Sequence, residues 1–267
     1  MGLVMLRGLI APLALLILSP ATFALELRNV QACYGRYGPA RTKLEVAPHE
    51  ELMFRFVIVG LKTDKDGKTD ALLTTTLTDA NGHDLLSRPQ AIRETLPFEA
   101  ESCPGTASLL VGPTAAPGEY QLRVTIEDKL GGGSTRFIRK VVVQSADFRL
   151  LSPRFFVDPA RTLPGPCGGL VGQTLYVRTQ IAQPSRRDDW IACSLKLRVV
   201  DLNGKDMLQT PVVIRREVRS QQDYQILALE AELPLSAAGD FRLVLTATDE
   251  NTKQEATLEL PLVISWP

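Results

Sequence analysis

Histidine is nearly missing from this chain. Only His49 and His83 occur, both in the first half and both beside turn residues. A serine-hydrolase triad or a zinc site needs an imidazole held in a cleft by other groups, so these two read as solvated turn histidines. Aromatics are scarce as well, at 6% of residues. Trp190 reads as core or rim packing, because one tryptophan does not make a sugar-stacking platform. An excess of one charge is absent, with 30 Lys plus Arg against 30 Asp plus Glu, which leaves no electrostatic case for nucleic acid or anionic lipid. Helical periodicity is nearly absent too, and 19 glycines and 18 prolines punctuate the apolar runs.

The motifs of cofactor and metal chemistry also fail, each on particular residues. The stretch Gly165-Pro166-Cys167-Gly168-Gly169-Leu170-Val171-Gly172-Gln173-Thr174 is glycine-rich like a phosphate loop. Gln173 stands at the lysine position and Cys167 where the first glycine belongs, so it reads as a turn leading into a strand. Asp79, Asp84, Asp201 and Asp206 flank Asn-Gly turns, but the spacing D-x-N-G-x-D is not that of a calcium loop. Asp128 and Asp249 end strands and are the remaining calcium candidates. Arg215-Arg216-Glu217-Val218-Arg219 mixes signs and reads as a solvated strand or loop. The expectation is no catalytic, cofactor or metal residue, and no enzyme.

One long apolar run exists, at the N-terminus. Arg7 is followed by Leu9 to Leu18, then Ser19-Pro20, then Thr22-Phe23-Ala24. This three-part pattern is that of a secretory signal peptide over residues 1–24. The run is about ten residues, short of the roughly 18–20 that cross a bilayer. Val30-Gln31-Ala32-Cys33 loosely imitates a lipoprotein box, but Glu26, Arg28 and Asn29 separate it from the apolar run. The expected location is outside the cytoplasm, periplasmic or extracellular, with no membrane span after cleavage.

What the chain does have is a repeat. Asp79-Ala80-Asn81-Gly82-His83-Asp84-Leu85-Leu86-Ser87-Arg88-Pro89 returns as Asp201-Leu202-Asn203-Gly204-Lys205-Asp206-Met207-Leu208-Gln209-Thr210-Pro211. Asn-Gly between alternating runs predicts a hairpin with a type I′ turn. The flanks recur as well. Pro39-Ala40-Arg41-Thr42 is echoed by Pro159-Ala160-Arg161-Thr162, and Glu51 to Phe56 by Thr174 to Arg178. Gly118-Glu119-Tyr120 through Asp128 is echoed by Gly239-Asp240-Phe241 through Asp249. Tyr120, Leu122, Val124 and Ile126 alternate with polar residues, as do Phe241, Leu243, Leu245 and Ala247, which is the period of a half-buried strand. The fold class is therefore all-β, in two tandem domains at 26–146 and 147–267, each a β-sandwich. No Gly/Ser linker separates them, which implies a semi-rigid tandem.

Four cysteines are divided two and two, Cys33 and Cys103 against Cys167 and Cys193. In an exported protein an even count suggests one disulfide per domain, Cys33–Cys103 and Cys167–Cys193. The alternative is free, buried thiols packing as small apolar residues.

Gly118-Glu119-Tyr120 and Gly239-Asp240-Phe241 each open an alternating strand that ends in Asp. This resembles strand F of the immunoglobulin-like domains found in bacterial envelope and extracellular proteins. The resemblance implies two immunoglobulin-like sandwiches. It departs from antibody-type domains, because Leu122 and Leu243 stand where the cysteine belongs and Phe241 lacks the hydroxyl of a tyrosine corner. The expected role is structural, adhesive or protein-interacting. A carbohydrate-binding accessory role, with a surface polysaccharide as partner, and an enzyme built on a carboxylate pair are the alternatives.

Overall fold

A computed structural model describes residues 24–96, 102–222 and 224–267. Seventeen β-strands and no helix form among them. The expected signal segment 1–24 lies outside the described residues except for Ala24.

Two sheets build the first half. β1 (Glu26–Cys33), β3 (Glu51–Val59) and β6 (Ser102–Leu110) pair in the order β1-β3-β6. β2 (Glu45–Val46), β4 (Ala71–Thr78), β5 (Asp84–Ile92), β7 (Gly118–Asp128) and β8 (Ser134–Val143) pair in the order β2-β8-β7-β4-β5. The second half repeats the plan. β9 (Arg149–Leu150) and β10 (Arg154–Phe156) both pair with β12 (Thr174–Ala182), which pairs with β15 (Ile226–Pro234). β11 (Gly168–Leu170), β13 (Trp190–Val200), β14 (Val212–Arg219), β16 (Gly239–Asp249) and β17 (Glu255–Ser265) pair in the order β11-β17-β16-β13-β14. Among the described residues every ladder stays within its own half.

Alternation drives this arrangement. Leu52, Phe54, Phe56 and Ile58 of β3 are buried, and so are Tyr120, Leu122, Val124 and Ile126 of β7 across from them. They join one core cluster. Leu175, Val177 and Ile181 of β12 join Phe241, Leu243, Leu245 and Ala247 of β16 in a second. Each fully buried aliphatic or aromatic side chain is worth roughly 1.5–3 kcal/mol, so two inward faces closing on each other give each half a sandwich-like core of its own. Tyr120 donates its hydroxyl to the Ala116 carbonyl at 2.7 Å, the bond of a tyrosine corner, which Phe241 cannot make.

The twin hairpins form, but not with the expected turn. The Gly82 amide bonds the Asp79 carbonyl at 3.1 Å and the Asp79 amide bonds the His83 carbonyl at 3.0 Å. Only the glycine takes positive φ, at 86° in Gly82 and 88° in Gly204. A type I′ turn would need Asn81 and Asn203 there as well. Asp79 decides the geometry, because one carboxylate oxygen accepts the Asn81 amide at 2.9 Å and the His83 amide at 2.8 Å. Asp201 does the same to Asn203 and Lys205. These bonds hold a four-residue turn, Asp79 to Gly82 and Asp201 to Gly204, whose last residue is the left-handed glycine.

The two expected disulfides are not formed, and all four cysteines are free and buried. Strand register explains it. Cys33 lies opposite Met53 and Cys103 opposite Ile58, on the two sides of β3. A whole strand and five positions along it, about 17 Å, separate them, whereas a bridge needs Cα atoms within about 7 Å. Cys193 faces Asp249 at one end of β16, while Cys167 precedes Gly168, beside Val263, near the other end.

Candidate functional site

The calcium candidates prove to be structural anchors. Asp128 and Asp249 are buried at the ends of β7 and β16. Asp128 accepts the amides of Leu130 and Gly131 at 3.0 Å and that of Lys62 at 2.9 Å. Asp249 accepts the amides of Asn251 at 2.8 Å, Thr252 at 3.1 Å and Ser185 at 2.7 Å, with the Ser185 hydroxyl at 2.8 Å. Each carboxylate closes its own hairpin and ties it to a loop from the facing sheet. Their lone pairs are taken by N–H and O–H donors, which leaves little to offer a cation. Among the described residues no group of three or more His, Cys, Asp or Glu is placed to hold a metal ion.

The other candidates scatter. His83 sits on an exposed turn 3.3 Å from Asp79, and the His49 amide bonds the Val111 carbonyl at 2.9 Å. Trp190 is half exposed at the rim, where β13 begins. The glycine-rich stretch contains β11. A Cβ on Gly168 would stand 2.0 Å from the Val263 carbonyl oxygen, so close strand packing explains that glycine. In β14, Arg215 pairs with Glu217 at 2.7 Å, and Arg216 donates to the Ala228 carbonyl on the edge of β15 at 2.6 Å. No helix among the described residues is long and apolar enough to cross a membrane.

Sequence reasoning missed the place where the two halves meet. Arg41 and Glu50, with side chains 2% and 9% exposed, pair at 2.6 Å. Both engage Ser152 of the second half. Arg41 donates to its hydroxyl, which donates to Glu50 at 2.5 Å. The other Glu50 oxygen accepts the Ala47 amide at 3.0 Å. The Arg41 guanidinium stands 4.4 Å from the centre of the Tyr34 ring, a further favourable contact for a desolvated cation. Around this core, Arg154 reaches back to Glu51 at 2.6 Å, and Arg149 reaches Gln144, which donates to Glu45 at 2.6 Å. Ala47, Leu151 and Ala182 bury a small apolar cluster across the seam. Beside it opens a cleft of about 240 Å³ lined by Tyr34, Tyr37, Met53, Arg154, Phe155 and Phe156. A half-exposed tyrosine, buried phenylalanines and an ion pair at the rim can seat an apolar side chain or a flat ring.

The thiols give a direct check on the packing. Burial pushes Cys167 up to about 12, and burial with Asp249 and Glu250 nearby pushes Cys193 up to about 12. Burial also raises Cys33 and Cys103. The thiolate is the reactive form, so a chromogenic disulfide reagent at pH 8 is expected to leave the native thiols unmodified. In denaturant it should titrate four. Rapid reaction of Cys167 or Cys193 in the native protein would contradict this packing.

No family model matches the chain, and no curated protein matches it. Among solved structures it is similar to the C-terminal domain of the Streptococcus agalactiae antigen I/II polypeptide BspA, at 9% identity and TM-score 0.31, covering 89% of this chain and 100% of that one. The C-terminal domain of the Streptococcus pyogenes antigen I/II-family protein AspA matches at 10% identity and TM-score 0.31, covering 90% of this chain and 99% of that one. Dimeric latent PorU from Porphyromonas gingivalis matches at 10% identity and TM-score 0.37, covering 96% of this chain but 22% of that one. Likenesses this weak carry no argument about what the chain does.

Proposed function

We propose that the chain is an exported, non-enzymatic protein-interaction module of the cell envelope or extracellular space. Two immunoglobulin-like sandwiches are held as one arm that presents the seam cleft and the loop ends to a protein partner. The observation that carries this reading is the buried Arg41–Glu50–Ser152 network. The ion pair belongs to the first half and is covered by Ser152 of the second. Parting the units would break both Ser152 bonds and the Arg154–Glu51 pair and uncover a desolvated charge pair, which favours one relative placement of the units over free swinging. Fixed placement suits a module whose binding surface is shared between two units. The N-terminal pattern of residues 1–24 supports export.

The carbohydrate reading has less behind it. Trp190 and Trp266 stand at opposite ends of the second half, about 50 Å apart by strand register. A photo-crosslinker at Tyr37, in the cleft, tests the proposal in the native envelope. Capture of one specific protein, lost when Phe156 is enlarged to Trp to fill the cleft, supports it. Capture of polysaccharide alone would replace it with the carbohydrate reading.

A further inference from the structure

The cleft beside the seam is framed by the same connection in each half. Cys33 bridges Ala40 across the loop that follows β1, and Phe156 bridges Pro164 across the loop that follows β10. Register makes the two equivalent, since Cys33 lies opposite Met53 as Phe156 lies opposite Tyr176. The first loop holds a ring near its tip. Its ends are pinned by the Tyr34 amide on the Pro39 carbonyl at 3.0 Å and the Arg41 amide on the Ala32 carbonyl at 2.9 Å. A Cβ on Gly38 would stand 1.7 Å from the Tyr34 carbonyl oxygen, so only glycine lets the chain double back this tightly. Tyr37 is left exposed on the wall of the cleft, with the Arg36 guanidinium 5.6 Å from the centre of its ring.

The two loops differ in what engages their charges. In the second, Asp158 accepts the Thr162 and Leu163 amides and the Thr162 hydroxyl, and Arg161 pairs with Glu230 and Glu232. In the first, Arg36 lies against Tyr37 and pairs with no carboxylate among the described residues. Three charged residues line the cleft, Arg36, Arg154 and Glu51. Arg154 and Glu51 pair at 2.6 Å, so the guanidinium of Arg36 is the charge left over. The flanking groups do not change that balance. Arg55, which donates to the neutral Gln31 at 3.0 Å, offsets Asp158. Arg161 and Arg178 offset Glu230 and Glu232, and Arg41 offsets Glu50 behind them.

We propose that the cleft takes an acidic segment of a partner protein, one that carries an aromatic or aliphatic side chain beside a carboxylate. The inference rests on the reading that this cleft seats a protein partner, and it adds the chemistry of that partner. The side chain enters the space of about 240 Å³ against Met53, Phe155, Phe156 and Pro164. The carboxylate meets Arg36 at the rim. Charge selects this segment over a basic one, which would face an unpaired guanidinium and find Glu51 already held by Arg154. A rim pair of this kind adds modest affinity but steers the approach and rejects like charge. The apolar lining selects it over a segment that is acidic throughout, which would leave that lining wet.

Three end-blocked pentapeptides test it against the isotope-labelled protein. They carry phenylalanine between glutamates, phenylalanine between lysines, and alanine between glutamates. The readout is the amide resonances of Gly35, Gly38 and Gly165, which line the cleft. The acidic phenylalanine peptide is expected to shift them saturably at roughly millimolar concentration, and the other two to bind at least about fivefold more weakly. Arg36→Glu, at an exposed position, should weaken the acidic phenylalanine peptide by about fivefold or more. Lys65→Glu, beyond the far end of β3, should leave it unchanged. Equal binding of the lysine or the alanine peptide would overturn the inference, and so would the absence of any shift at these glycines. Capture through Tyr37 assumes no charge, so it decides the underlying reading separately. A captured partner whose crosslinked segment is basic would sink the inference and keep that reading.

Discussion

Arg41→Ala is expected to cost about 3–5 kcal/mol, because it leaves the Glu50 carboxylate buried without its cation. Both side chains are almost wholly buried and both engage Ser152, so the loss falls on the first half and on the seam together. The second half shows how the protein does without the pair. There Gln173 keeps the amide bond of this turn with no charge. The double variant Arg41→Met/Glu50→Gln copies that solution and should lose less than Arg41→Ala alone, an interaction that a double-mutant cycle reads directly. Urea denaturation gives the comparison. A double variant as unstable as the sum of its two single substitutions would contradict the account of the seam.

Asp249→Ala should cost about 3–5 kcal/mol, because three amides and a hydroxyl lose a buried, charged acceptor. Asp128→Ala strands three amides without the hydroxyl and should cost about 1 kcal/mol less. Asp201→Ala, in an exposed turn, should cost far less than either. The urea midpoints are expected to rank in that order at constant slope, and added calcium should move none of them. Stabilisation by calcium that Asp249→Ala abolishes would restore the metal-site reading. The Asp79 carboxyl, held below the usual carboxylate range chiefly by the His83 amide, adds a pH dependence of known sign. Its folded-state value is depressed, so its stabilisation is full above the unfolded carboxylate range and is lost as pH falls through the lowered value.

Much of the architecture was legible because it depends on local pattern. The alternation from Tyr120 to Ile126 gave both the strand and its buried face, and recurrence in Phe241 to Ala247 gave the second half. The Asn-Gly pairs marked both hairpins but not the turn type, since that depends on where the Asp79 and Asp201 side chains bond. Counting cysteines could not reveal that β3 runs between Cys33 and Cys103. Asp128 and Asp249 stood out in the sequence only as calcium candidates at strand ends, because the partners that make them hairpin anchors, Lys62 and Ser185, lie more than sixty residues away in sequence. The seam was hidden for the same reason. Arg41 and Arg161 stood out as a repeated Pro-Ala-Arg-Thr, yet Arg41 meets Ser152 across 111 positions. The signal that could have found it is asymmetry within the repeat, where Glu50 and Glu51 stand opposite Gln173 and Thr174.

Whether the two halves move as one unit is measured most directly by pulsed electron spin resonance. Spin labels would be carried on cysteines replacing exposed Lys65 in the first half and exposed Gln254 in the second, while the buried native thiols stay unlabelled. A seam locked by Arg41, Glu50 and Ser152 predicts one narrow distance that broadens in Arg41→Ala. A broad distribution in the otherwise unaltered protein would contradict it.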